Sequence, residues 1–111
     1  PPYSIGFCMG VDWALPADAE TLFFMKTILP EKDVPWGVIH AGMNDFALLA
    51  AAIGMGASFV RVGFEDSPFF APGKAAKSNA ELVERMVSLI HQIGYEVATC
   101  DEAREMLQIR K

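Results

Sequence analysis

Arg61, Glu65 and Asp66 are the side chains whose types and spacing most readily carry chemistry in this sequence. Residues 58–65 read as a β-strand, in which alternate residues share a face. Phe59, Arg61, Gly63 and Glu65 then line one face, and Val60, Val62 and Phe64 line the other, where they should pack under helices. An Arg and a Glu on one face of a buried parallel strand cost free energy unless they pair with each other or face a functional cavity. A structural ion pair and a ligand-facing cluster both meet that condition. Asp66 favours the second, because it joins Glu65 at the carboxyl end of the strand, where parallel α/β folds bind their ligands.

The other chemically capable side chains are sparser. Of the two histidines, His91 stands in a helical stretch among polar neighbours and reads as a surface residue, not a ligand. His40 falls near the carboxyl end of an earlier strand and reads as structural or pocket-lining. Cys8 and Cys100 form no CxxC pair, which suits reduced thiols in a cytoplasmic setting. Phe69 and Phe70, adjacent aromatics flanked by prolines, suit a lid or a subunit contact.

The elements that must hold these residues follow from periodicity and capping signals. Residues 3–9 form an apolar run rich in β-formers, and residues 34–41 form a second. Between them Asp18 sits where an N-cap belongs, ahead of an apolar helical face of Leu22, Phe23, Met25, Ile28 and Leu29 that Pro30 stops. Asn44 is placed to cap a second helix over 45–53, ended by Gly54. A long connection over 66–77 leads to Ser78 and Glu81, the spacing of a capping box, and to the most amphipathic segment of the chain. Leu82, Val83, Met86, Val87, Ile90 and Ile93 make its apolar face, and Gly94 its stop. A short extended piece at 96–98 and a second capping box, Thr99 with Glu102, open a terminal helix through Leu107.

Strand and helix alternating three times imply parallel strands joined by right-handed crossovers. Near-continuous apolar strands imply that both sheet faces are covered. The fold class is therefore α/β, either an open doubly wound sheet or a segment of a (β/α)8 barrel. Composition narrows the function classes. The chain is 111 residues long, 52% hydrophobic and 21% charged, as expected of one globular domain or part of one. A net charge of −5 without any Lys/Arg block argues against a nucleic-acid partner. The longest apolar run, 47–55, falls well short of the roughly 20 residues a membrane crossing needs. Pro1 stands directly before a strand, with no leader ahead of it, as in a piece of a longer protein.

One family matches these residues in order and spacing. The run Arg61-Val-Gly-Phe-Glu65-Asp66, then Gly73, Ser78-Asn79-Ala-Glu-Leu-Val-Glu84, Glu96-Val-Ala-Thr99 and Glu102-Ala-Arg104 resembles the C-terminal signature of the beta-keto acid cleavage enzymes. Gly10, Pro16, Leu22, Trp36 and Gly42 extend the resemblance upstream over essentially the whole chain. It implies the last three βα units of a (β/α)8 TIM barrel plus a terminal helix, a single partial domain over 1–111. It also implies a reaction in which a β-keto acid and acetyl-CoA give acetoacetate and a new acyl-CoA, as in cleavage of 3-keto-5-aminohexanoate. By the family's pattern Glu65 is the carboxylate ligand of a zinc ion, and Arg61 and Asp66 form a dyad that helps to abstract a substrate proton. A cation beside Asp66 tunes its basicity, although lowering its pKa also weakens it as a base. Homo-oligomers and an N-terminal barrel half as intramolecular partner are implied as well.

The chain carries only part of that pattern. The family's two His ligands belong to a His-x-His motif that is absent here, so this chain alone is expected to be inactive. Ser67, Pro72 and the Asp12-Trp13-Ala14 loop depart from the usual residues, which bears on substrate choice rather than on the general chemistry. Lys74 and Lys77 flank the loop before the third helix and are placed either to meet CoA phosphates or to sit solvated beside a helix N-terminus. Two further readings stand beside the enzyme. The chain could be a non-catalytic partial barrel acting by self-association or by pairing with a complementary half, or part of another barrel enzyme such as an aldolase.

Overall fold

The computed structural model describes residues 3–109. Its centre is a parallel three-stranded sheet of β1 (Ile5–Cys8), β2 (Trp36–Ile39) and β3 (Phe59–Arg61), in the order β1-β2-β3. The register aligns Phe7 with Val38 and Val38 with Val60, and one residue on aligns Cys8 with Ile39 and Ile39 with Arg61. Among the described residues the strand order contains no reversal.

Because alternate residues share a face, Phe7, Met9, Trp36 and Val38 fall together and form the core with Leu22, Phe46, Leu49, Leu82 and Met86. Helix α1 (Ala19–Thr27) buries Leu22 there, and α2 (Ala47–Gly54) buries Leu49, Ala52 and Ile53. The opposite sheet face is not covered as the apolar strands led us to expect. It carries Gly6, Cys8, Gly37, Ile39, Phe59 and Arg61, of which Gly6 and Arg61 are exposed, Cys8, Ile39 and Phe59 half-buried, and Gly37 buried. Phe59 lies across its two glycines, and a Cβ on Gly37 would stand 2.6 Å from the Phe59 ring.

The caps explain where the helices start. Asp18 accepts a bond from the Thr21 amide at 2.7 Å, as the spacing predicts. Asn44 does not cap α2. Instead Phe46 is the N-cap, and the Asp45 carboxylate accepts from the Ala47 amide at 2.9 Å. Helix α3 (Asn79–Gln92) is capped by the Ser78 hydroxyl, while the Glu81 carboxylate reaches back to the amide of Lys77 rather than that of Ser78. Leu82 and Met86 are its buried residues. Helix α4 (Cys100–Met106) has the full reciprocal box of Thr99 and Glu102 and buries none of its residues.

Two segments differ from expectation. The connection over 66–77 contains a hairpin, β4 (Phe69–Ala71) with β5 (Lys74–Ala75), turned at Gly73 with φ +72°. Its Phe70 packs against the core with the Arg85 guanidinium 3.6 Å from the ring centroid, so this ring anchors the hairpin. Residues 96–98, expected as a short extended piece, join no sheet among the described residues.

Candidate functional site

Strand β3 ends at Arg61, earlier than the run 58–65 suggested, and the chain turns. The amides of Asp66 and Ser67 both donate to the Gly63 carbonyl at 3.0 Å. Glu65 therefore lies in a turn and not on the strand face with Arg61. Burial is redistributed accordingly: side-chain exposure is 51% for Arg61 and 88% for Glu65 but only 8% for Asp66. The charged cluster is real, but its enclosed member is Asp66 rather than Arg61 or Glu65.

Arg61 grips that aspartate with both sides of its planar fork. Its Nε donates to Asp66 Oδ2 at 2.9 Å and its Nη2 to Oδ1 at 2.9 Å. Nη2 also donates to Glu65 Oε2 at 3.3 Å. The hydrogen bonds to Asp66, and then its charge, hold the Arg61 pKa above the ordinary guanidinium value. Bidentate pairing fixes the carboxylate's orientation as well as its charge.

The main chain around the pair is tied down from two elements. The Gly42 amide donates to the Asp66 carbonyl at 3.1 Å, and the Ser67 hydroxyl donates to the Met43 carbonyl at 2.6 Å. From the other side, Asn79 Oδ1 at the start of α3 accepts from the Phe64 amide at 2.8 Å. Sequence reasoning missed Asn79 and Gly42 as supports. A clue was present in Asn79, an amide just inside a helix whose cap role Ser78 already fills.

His40 is fully buried. Its Nε2 lies 2.8 Å from the Asp45 carbonyl, which can only accept, so Nε2 carries the proton. The ring meets Phe46 edge-on with centroids 5.0 Å apart, and Nδ1 has no partner among the described residues. Burial depresses its pKa below the ordinary 6.5, against the opposing influence of the Asp45 carbonyl and the charges of Asp66 and Asp45. The structural reading of His40 thus describes what is seen, and it lines no surface. His91 is half-exposed near the end of α3, 3.4 Å from Glu96, away from the cluster. Lys74 and Lys77 are both exposed, one in the hairpin and one just before the α3 cap.

A divalent metal needs several donors held together. Among the described residues, no three His, Cys, Asp or Glu side chains come together to hold one. Asp66 has both oxygens occupied by Arg61, which leaves Glu65 as a single exposed carboxylate donor. Three protein ligands are the usual minimum for a catalytic zinc, so these residues do not form a metal site by themselves.

Known proteins resemble the chain over nearly its whole length. A sequence model of the beta-keto acid cleavage enzyme family matches residues 1–109. The chain belongs to this family. It is 44% identical over 110 residues to a 3-keto-5-aminohexanoate cleavage enzyme of Fusobacterium nucleatum subsp. nucleatum, covering 99% of this chain and 39% of the relative. A protein of the same name from Acetoanaerobium sticklandii is 42% identical over 99% of this chain and 40% of its own length. A 3,5-dioxohexanoate:acetyl-CoA acetone transferase of Paraburkholderia graminis is 34% identical over 99% of the chain and 36% of the relative. The chain thus spans about two fifths of the length of the curated beta-keto acid cleavage relatives it matches.

Proposed function

We propose that this chain is the C-terminal part of a beta-keto acid cleavage enzyme, in which a β-keto acid and acetyl-CoA give acetoacetate and a new acyl-CoA. The observation that carries the reading is the bidentate Arg61–Asp66 pair, with Asp66 shielded from water and Glu65 beside it in the open. The names of relatives that use acetyl-CoA support the co-substrate. The β1-β2-β3 order, with its helical core on one face and an uncovered opposite face, fits three βα units of a (β/α)8 barrel whose remaining strands lie elsewhere in the protein.

In this reading Asp66 takes the proton from the carbon between the keto group and the carboxylate of the substrate, and Arg61 holds its carboxylate aimed. The pairing stops Asp66 from rotating away from the substrate, and orientation contributes heavily to such steps. Glu65 supplies one carboxylate to a zinc ion whose histidine ligands come from outside residues 1–111. When bound, such an ion polarises a carbonyl and stabilises enolate-like charge. Lys74 and Lys77 are the proposed contacts for CoA phosphates, and the assembled enzyme is proposed to be a homo-oligomer.

The test is acetoacetate release by the full-length protein from acetyl-CoA and a panel of β-keto acids, together with elemental analysis for metal. Asp66→Asn should lower turnover by about 10²–10⁴-fold, the range for loss of a general base, with metal content unchanged. Glu65→Ala should lose both metal and turnover. Turnover by Asp66→Asn equal to the wild type would remove Asp66 from the reaction, and a wild-type protein inert toward the whole panel would overturn the assignment.

A further inference from the structure

We infer that His40 is a positioning residue whose buried imidazole fixes the 40–45 turn that seats Asp66 against Arg61. The inference rests on the proposed role of the Arg61–Asp66 pair and adds to it the element that holds the pair in register.

The geometry is a short loop pinned at both ends by one residue. At the near end, the His40 amide donates to the Arg61 carbonyl at 3.0 Å, continuing the β2–β3 pairing by one step. At the far end, its Nε2 donates to the Asp45 carbonyl at 2.8 Å. Between those pins lie the two groups that receive the turn after β3: the Gly42 amide, bonded to the Asp66 carbonyl, and the Met43 carbonyl, bonded to the Ser67 hydroxyl. Asp66 and Ser67 therefore rest on a turn whose shape depends on the imidazole. Asp45 is in turn fixed to the start of α2 through its carboxylate bond to the Ala47 amide, so the far pin is anchored to a helix.

The ring is well suited to this task. It is fully enclosed, and Phe46 limits its rotation. A fully buried Nδ1 without a partner among the described residues is a cost that an apolar side chain of similar size would avoid, so the bond from Nε2 is what the imidazole contributes in return. Gln can present an amide N–H near the place of Nε2, whereas Leu and Asn leave the Asp45 carbonyl unmet.

The test uses the full-length protein with His40→Leu, His40→Asn and His40→Gln, each first checked for cooperative unfolding. Hydrogen exchange of the Arg61 Nε–H, followed by NMR, reports the grip on Asp66 without reference to activity. It should quicken by about tenfold in His40→Leu and stay near wild type in His40→Gln. In the acetoacetate assay, kcat per folded enzyme should fall by about 10–100-fold in His40→Leu, with KM for the β-keto acid within about twofold, and His40→Gln should recover most of it. If His40→Leu does not fold, His40→Asn carries the same expectations. Unchanged Arg61 exchange in a folded Leu or Asn variant overturns the inference. A wild-type protein that turns over no β-keto acid would instead overturn the proposed function, and the exchange measurement would still decide the role of His40.

Discussion

At the level of single residues, the structure separates two properties that the strand pattern had joined. Period-two alternation places Glu65 with Arg61 only while the strand lasts, and it ends at Arg61 because the amides of Asp66 and Ser67 turn back onto Gly63. No local rule marks that end, since Val62 and Phe64 are as good β-formers as the residues before them. His40 was more legible than our reading made it. It shares parity with the buried Trp36 and Val38, which places it on the covered face. Its burial has a pH consequence. With the His40 pKa held below 6.5 in the folded state, the unfolded chain binds more protons in the interval beneath about 6.5, so stability is full above that pH and falls on acidification through it. Denaturant midpoints measured across about pH 5–8 should decline toward the acid end with a component of up to about one proton, and His40→Gln should remove that component. An equal decline in both proteins would mean that His40 binds protons alike in the folded and unfolded states, with the influence of Asp66 and Asp45 offsetting its burial.

At the level of elements, the signals that involve backbone amides and a nearby side chain were read well. Asp18, Ser78 and Thr99 each cap the helix they precede, because satisfying an orphan N–H needs only a local acceptor. Ser78→Ala should cost about 1 kcal/mol of stability, measured by denaturant unfolding, and more than that would mean that the hairpin docks through the cap. The hairpin itself went unread, although Pro72-Gly73 between β-forming residues is a turn signal. Two adjacent aromatics beside prolines in a long connection suggest a lid or a subunit contact instead, and the turn at Gly73, φ +72°, is visible only in the structure. Gly42 carries a stronger demand. It has φ +65°, and a Cβ there would collide with the Gly10 carbonyl oxygen and stand 3.2 Å from Val11 Cγ1. Gly42→Ala should therefore destabilise by about 1–3 kcal/mol and, because its amide holds the Asp66 carbonyl, should also lower turnover per folded molecule. Lost stability with unaltered turnover would show that the turn supports the fold without aligning the pair.

At the level of the whole molecule, the alternation of strands and helices points to the α/β class and the parallel sheet that are seen, but not to the coverage of the sheet. The expectation of two covered faces came from apolar strands, and these strands are apolar on the uncovered face too, where Cys8, Ile39 and Phe59 lie. β1 and β3 are both edge strands among the described residues. On the outer side of α1, Phe23 and Phe24 are 62% and 60% exposed. Open edges and apolar surface of this kind favour association unless something else covers them. Residues 1–111 made as a polypeptide on their own should therefore self-associate at micromolar concentration, with a weight-average mass by sedimentation well above that of one chain. The face responsible can be separated from the edges by substitution. Phe59→Glu places a charge on the uncovered face without touching the core side of β3, and Phe23→Glu does the same on α1. If association is driven by the sheet face, the first variant lowers the mass and the second does not. If both variants leave it unchanged, the strand edges drive association. A wild-type chain that stays monomeric and unfolds cooperatively would show that the helical core on one face suffices to hold the sheet, and the uncovered face would then no longer argue for a missing part of a barrel.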